Sequence, residues 1–273
     1  MSRSRRVASL LLVASLCFSI VGVAGAARAA NAASSTWDRR VLPIAREVEK
    51  LRGLQFEHPV PVDFLSNAAF NKSVAVNRDS LSADDKAQLQ RAQSQLRSIG
   101  LLGDDVDLID SISALQTSGA LAKYDPKTKR ATVRGKKIGV ATKVTLAHEL
   151  THALQDQHFD LTKLQREAKR NHSTDALQAL VEGDARRVQQ LYVDQLSKAE
   201  QADYEQFQAS GSAQALAETR AQGVPDALNV LFQAPYTLGL LMLEVVEAVN
   251  GKTAIDGLFR DPPRADASFL TPL

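Results

Sequence analysis

The chain is poor in sulfur: 273 residues contain one cysteine, Cys17, and two methionines, Met1 and Met242. Cys17 sits in an apolar N-terminal stretch behind Leu16, where lipid attachment requires a small residue, so lipidation is not expected. Beyond it there is no thiol. This excludes a disulfide and leaves the core or a metal to supply stability, even in an oxidising compartment. Acid is absent from residues 1–29, which hold Arg3, Arg5, Arg6 and Arg28; the other 29 of the 33 basic residues face all 31 acids, so the charge of +2 becomes −2 once that segment is set aside. No basic run extends beyond Arg134 to Lys137, which argues against a nucleic-acid partner. Internal repeats and long Gly/Ser or Pro linkers are also missing. With 44% hydrophobic and 23% charged residues the chain is too apolar for disorder, and residues 30–273 are expected to form a single domain, compact from about Thr36.

Residues 1–29 read as an export signal: a basic start, 21 uncharged residues from Val7 to Ala27, and the small-residue site Ala27-Arg28-Ala29. Cleavage there would deliver the remainder to the cell envelope or the medium. Two other readings stay open: an uncleaved membrane anchor, because a stretch of that length spans a bilayer, and a twin-arginine signal carried by Ser4-Arg5-Arg6. Membrane contact is expected only if the segment is retained.

Hydrophobic spacing predicts an α+β fold, predominantly helical, in which a small sheet or hairpin precedes a helical C-terminal part. Ile44, Val48 and Leu51 repeat at helical spacing up to Gly53, and Pro59 to Phe64 alternates like an edge strand, where proline is tolerated. Ser82 caps a helix carrying Leu89, Ala92 and Leu96 that closes near Gly100. Ala120 to Tyr124 and Arg130 to Arg134 flank a turn and form a hairpin, with Ile138 and Val140 continuing the extended pattern. Helices are expected at Thr142 to Gln157, Thr174 to Ser197, Ala199 to Ala221 and Tyr236 to Asn250.

The first of these helices contains His148-Glu149-Leu150-Thr151-His152, an H-E-x-x-H pattern among uncharged residues. His148 and His152 lie one turn apart on one face, close enough for both rings to bind one Zn²⁺. Glu149 is one step round from His148, beside the metal but directed past it, where a general base stands to take a proton from activated water. A composition with 5 histidines makes such a pattern arise by chance in only about 0.4% of chains of this length.

A catalytic zinc needs a third protein ligand. His158 completes the His148-x3-His152-x5-His158 spacing of metzincins. That pattern needs a glycine three residues after the second histidine so that the chain can turn back, and here Gln155 favours continued helix. Met242, the one methionine that could supply a Met-turn, lies in an apolar helical run, so His158 is expected at the helix end or behind the ligands rather than on the metal. The farther candidate is Glu182, an isolated acid after Leu177, Leu180 and Val181 on a second helix. A carboxylate on an apolar face needs a partner; a metal suffices, and an ion pair with Arg186 one turn later is the alternative.

A glutamate ligand on a second helix is the gluzincin arrangement, and the chain resembles thermolysin-like zinc metallopeptidases in its H-E-x-x-H plus distant Glu. The stretches HELTHALQDQHFDL, ALVEGDA and PYTLGLLMLEVVEAVNGKTAIDGLFRDPP are also similar to a group of exported bacterial metallopeptidases, over most of Leu42 to Pro272. The resemblance implies a zincin-like domain, one Zn²⁺ on His148, His152 and Glu182, Glu149 as general base, and a peptide or protein substrate. The spacing to Glu182 is longer than in thermolysin, so no specificity pocket is carried over. It further implies an upstream strand that pairs with extended substrate, for which Ala131 to Arg134 is in place, although an ordinary solvated hairpin fits the same residues.

Metal-assisted hydrolysis of this kind calls for an oxyanion donor. Tyr236 is the candidate, with His172 and Tyr192 as alternatives and a partly buried core role as the competing reading for Tyr236. Asp184 could orient a ligand histidine, but helical geometry turns it some 200° from Glu182 and predicts an exposed charge. Asp156, one turn after His152, is a comparable candidate. Beside an exported zinc peptidase, two alternatives remain: a zinc-containing but inactive binding or scaffold protein, and a helical interaction protein with an incidental motif.

Overall fold

A computed structural model describes residues 36–266. The expected export signal, with Cys17 and Ala27-Arg28-Ala29, lies outside the described residues. The first helix, α1 (Leu42–Arg52), carries Pro43 in its first turn and stops at Gly53, which adopts φ +80° and donates its N–H to the Glu49 carbonyl. It buries Ile44, Ala45, Val48 and Leu51, and with them Arg52. Strand β1 (Val62–Leu65) leads into α2 (Asn67–Val74). Helix α3 (Ala83–Ser98) begins as its sequence predicts, with Ser82 Oγ accepting the Asp85 N–H. Helix α4 (Leu108–Thr117), which hydrophobic spacing did not single out, is capped by Asp107.

Strands β2 (Ala122–Asp125) and β3 (Arg130–Arg134) form the expected antiparallel hairpin. The sheet order is β1-β3-β2, with β1 parallel to β3, so β1 is indeed an edge strand and β3 is the central one. The extended pattern does not continue to Val140. Gly139 is the last extended residue and Val140 opens α5 (Val140–Phe159), because two alternating apolar residues do not distinguish a strand end from a first helical turn.

From α5 onward the chain is helical: α6 (Leu161–Asn171), α7 (Thr174–Asp194), α8 (Lys198–Ala221), α9 (Asp226–Asn250) and α10 (Thr253–Arg260). The architecture is a predominantly helical α+β fold with a small mixed three-stranded sheet. Helix α9 starts at Asp226, well before the expected Tyr236, and runs through Pro235. An interior proline costs roughly 3 kcal/mol in lost hydrogen bonding and ring clash. Burial of Pro235, Met242, Leu243 and Val246 outweighs it.

One core gathers α1, the sheet, α5 and the C-terminal half of α7; a second lies between α3, α4 and the start of α9; a third packs α6, α7, α9 and α10 around Leu180, Leu243 and Phe259. Helices α7 and α9 make the most extensive contact in the molecule. They meet at Gly183 and Gly239, where a methyl on Gly239 would drive into the Ala179 carbonyl and one on Gly183 into the Gly239 backbone. Among the described residues α9 is the one helix long and apolar enough to cross a membrane; its inner face lies on α7, and Leu238, Leu241, Val245 and Val249 remain exposed.

Gly239→Ala is expected to cost about 1–3 kcal/mol through overpacking of this crossing. Gly257→Ala in α10, where a methyl meets open space, should instead add about 0.5–1 kcal/mol of helix propensity. Urea midpoints measure both, and equal shifts would refute the close approach of α7 and α9.

Candidate metal centre

Helix α5 is buried on nearly every side from Val144 to Asp156, which places His148 and His152 in the interior with only 7% exposure each. Helix α7 crosses it with an equally buried face and adds Glu182. Their donor atoms converge: His148 Nε2 lies 3.0 Å from His152 Nε2 and 3.2 Å from Glu182 Oε2, and His152 Nε2 lies 3.3 Å from the same oxygen. These three residues are the described group able to hold a metal ion. Three donor atoms at such separations are close enough that His148, His152 and Glu182 would together hold one metal ion. The donor set fits. Glu182 forms no ion pair with Arg186; its partners are the two rings.

Between themselves the groups behave as an ion pair. Burial pushes His152 down, but the Glu182 carboxylate outweighs it and raises the imidazole to about 9. Burial likewise pushes Glu182 up, and the rings of His152 and His148 overcome this and bring it to about 2.

His152 is oriented from behind. Its Nδ1 lies 3.0 Å from Gln155 Oε1, a bond that keeps a proton on Nδ1, so the proton that a binding metal displaces is the one on Nε2. The Gln155 amide is fixed in turn, donating to the Val181 carbonyl at 3.1 Å and to Asp184 Oδ2 at 3.0 Å. Asp184 is fully buried between Arg52, at 2.7 Å, and Arg187, at 3.1 Å, and Arg52 reaches on to Asp256. The expected exposed charge at Asp184 is therefore corrected. Helical geometry does turn it away from the Glu182 face, but the face it joins packs on α1 rather than on water. Nothing in the sequence pattern of α7 shows that. Gln155 and Arg52 were missed as site residues. Their signals were positional: Gln155 is one turn past His152 on an apolar helix, and Arg52 follows Val48 on the buried face of α1.

Glu149 is not one of the converging donors. Its Oε2 accepts the Tyr124 N–H at 2.6 Å, while the side chain keeps an open side toward a cavity of about 850 Å³ that the three donors also line. Burial raises its carboxyl above the ordinary range, against the opposing pull of His148, His152 and the Tyr124 N–H. One wall of the cavity is β2. The strand whose free edge borders the cavity is thus β2, not Ala131 to Arg134, because β3 is paired on both sides, with β1 and with β2.

Tyr236 lines the cavity from the middle of α9, its ring stacked on His148 with centroids 6.0 Å apart. His172 sits at the C-terminal cap of α6 and Tyr192 in the main core, and neither lines the cavity. His158 points away: α5 runs on to Phe159, as Gln155 predicts, and His158 Nε2 contacts the Gln55 carbonyl at 2.8 Å. Asp156 touches neither histidine; it binds the Tyr124 hydroxyl at 2.6 Å, Lys129 and the Leu161 N–H, clamping the hairpin to α5 and α6. Comparison with protein-family models, curated proteins and solved structures finds no match to this chain.

Elemental analysis of purified protein is expected to find one metal per chain, lost in Glu182→Gln and His152→Asn and kept in His158→Asn. Gln155→Leu should retain the fold and weaken metal affinity about 10–100-fold. Loss of metal in His158→Asn alone would overturn the ligand assignment.

Because His152 holds its proton up to about pH 9, a binding metal must displace it. Titration calorimetry should show about one proton released per ion at pH 7, with affinity rising about tenfold per pH unit and levelling near pH 9. A constant affinity between pH 7 and 8.5 would contradict this.

Proposed function

We propose that the protein is a zinc-dependent peptidase of gluzincin type on a zincin-like domain, exported by its leader and acting on peptide or protein substrates. The observation that carries this reading is the pairing of a His148–His152–Glu182 donor set with a carboxylate, Glu149, that faces the same cavity without joining the set. Two imidazoles and one carboxylate with free coordination positions are the donor chemistry of catalytic rather than structural zinc. A zinc ion held there supplies a Lewis acid for a carbonyl oxygen and lowers the pKa of water toward 7.

The chain's own residues supply the rest. Glu149 is the proton acceptor: the Tyr124 N–H pins one carboxylate oxygen, so the other is presented to the cavity in a fixed direction. Its raised affinity for a proton suits a group that must accept one and later hand it to the leaving amine. Tyr236, which lines the cavity with its ring stacked on His148, is the candidate donor to the oxygen that gains charge. Along β2, Tyr124 directs its N–H away from β3 and into the site, so Ala122, two residues earlier, presents its backbone to the same side. An extended peptide pairing with this edge gains main-chain hydrogen bonds with little demand on its sequence.

The test is cleavage of a mixed-sequence peptide library by zinc-loaded protein, read by mass spectrometry. Glu149→Gln should keep the zinc and lose at least about 10³-fold in rate, and Tyr236→Phe about 10²-fold in kcat with little change in KM. Stoichiometric zinc with no cleavage of any peptide would refute the peptidase and leave a zinc-containing binding protein.

A further inference from the structure

Glu182, Arg186 and Gln189 recur at helical spacing along α7 and all line the cavity. Apart from Glu182, Arg186 is the one charged side chain that α7, α8 and α9 contribute to that lining among the described residues. Its polar neighbours are neutral: Nη1 donates to Gln189 Oε1 at 3.0 Å, and the Tyr204 hydroxyl, held by Gln189 Nε2 at 2.8 Å, lies beside it. The other half-buried or buried arginines of α1 and α7 are treated differently. Arg52 is paired with Asp184 and Asp256, and Arg187 with Asp184 and Glu247. Glu182, the nearest acid by helical spacing, is committed to the two histidines. A guanidinium is always charged, and one partly withdrawn from water without a carboxylate is a ready bidentate receptor for one.

Resting on the peptidase reading for its place in a reaction, we propose that Arg186 binds a carboxylate of the substrate, so that the preferred peptides carry a negative charge next to the scissile bond. The four-residue step from Glu182 to Arg186 advances about 6 Å along the helix, and an extended peptide advances about 3.3 Å per residue. The recognised carboxylate therefore lies one or two residues from the bond that faces Glu182. It is an acidic side chain or the C-terminal carboxylate.

Zinc-loaded Glu149→Gln protein, immobilised, is offered a decapeptide library in four forms: with Asp and Glu or with Asn and Gln, and with free or amidated C-termini. Carboxylate-bearing peptides should be retained at least about tenfold over amidated neutral ones. The advantage should vanish in Glu149→Gln/Arg186→Gln and survive weakened in Glu149→Gln/Arg186→Lys. Retention that follows Asp and Glu assigns a side chain, and retention that follows the free terminus assigns the C-terminal carboxylate. Zinc content and thermal midpoint check each variant, and should Arg186→Gln not fold, Arg186→Lys against its parent carries the comparison. No enrichment, no retained peptide, or enrichment unchanged by both Arg186 substitutions would overturn the proposal. Carboxylate-selective retention with no cleavage by the zinc-loaded native protein would remove the peptidase reading alone. Cleavage without charge preference would remove the Arg186 assignment alone.

Discussion

Two imidazole nitrogens and a carboxylate oxygen, 3.0–3.3 Å apart inside a helical core, impose a demand that hydrogen bonding meets only in part. A proton shared by one pair of these atoms leaves the third short of a partner, and burial makes each unsatisfied group costly. A single cation satisfies all three. Much of the fold can be understood as the framework that keeps these atoms together: α5 carries two of them and α7 the third, and α9 lies along α7 at a glycine crossing so close that a methyl group would separate the helices. Gly183 adjoins Glu182, and Tyr236 is one turn before Gly239, so the crossing sets both sides of the site at once.

Behind the donors lies a charged interior. Arg52, Arg187 and Asp184 are all buried, and pairs of this kind contribute little net stability once desolvation is counted. Their effect here is directional. Asp184 fixes the amide of Gln155, the amide keeps a proton on His152 Nδ1, and Nε2 is left as the ring nitrogen that faces His148 and Glu182. In front, a single main-chain N–H from β2 does the corresponding work for Glu149. The same strand whose edge faces the cavity therefore also aims the carboxylate that faces it.

Most of the helices were legible because their apolar residues recur at helical spacing and their ends carry Ser82 or Gly53 as caps. Pro235 misled, since a proline reads as a helix start when its burial is unknown. The pairing of His148 and His152 as candidate donors was legible because one helical turn fixes their relation whatever surrounds them. The same local reason turns His158 away from the pair: a helix that Gln155 does not interrupt. Asp184 and the choice between β2 and β3 were not legible, because each depends on which element packs or pairs on the far side.

Local pattern alone, then, determined the helical character of the C-terminal part, the hairpin, the paired histidines with Glu149 beside them, and the candidacy of Glu182. Periodicity encodes which residues share a face of one element. It carries no information about what meets that face. Tertiary structure decided that Glu182 meets two histidines rather than Arg186, that Arg52 reaches from α1 to hold Asp184, and that β2 borders the cavity. These outcomes turn on contacts between residues as far apart as Arg52 and Asp256, which only the packing of separate elements brings within hydrogen-bonding distance.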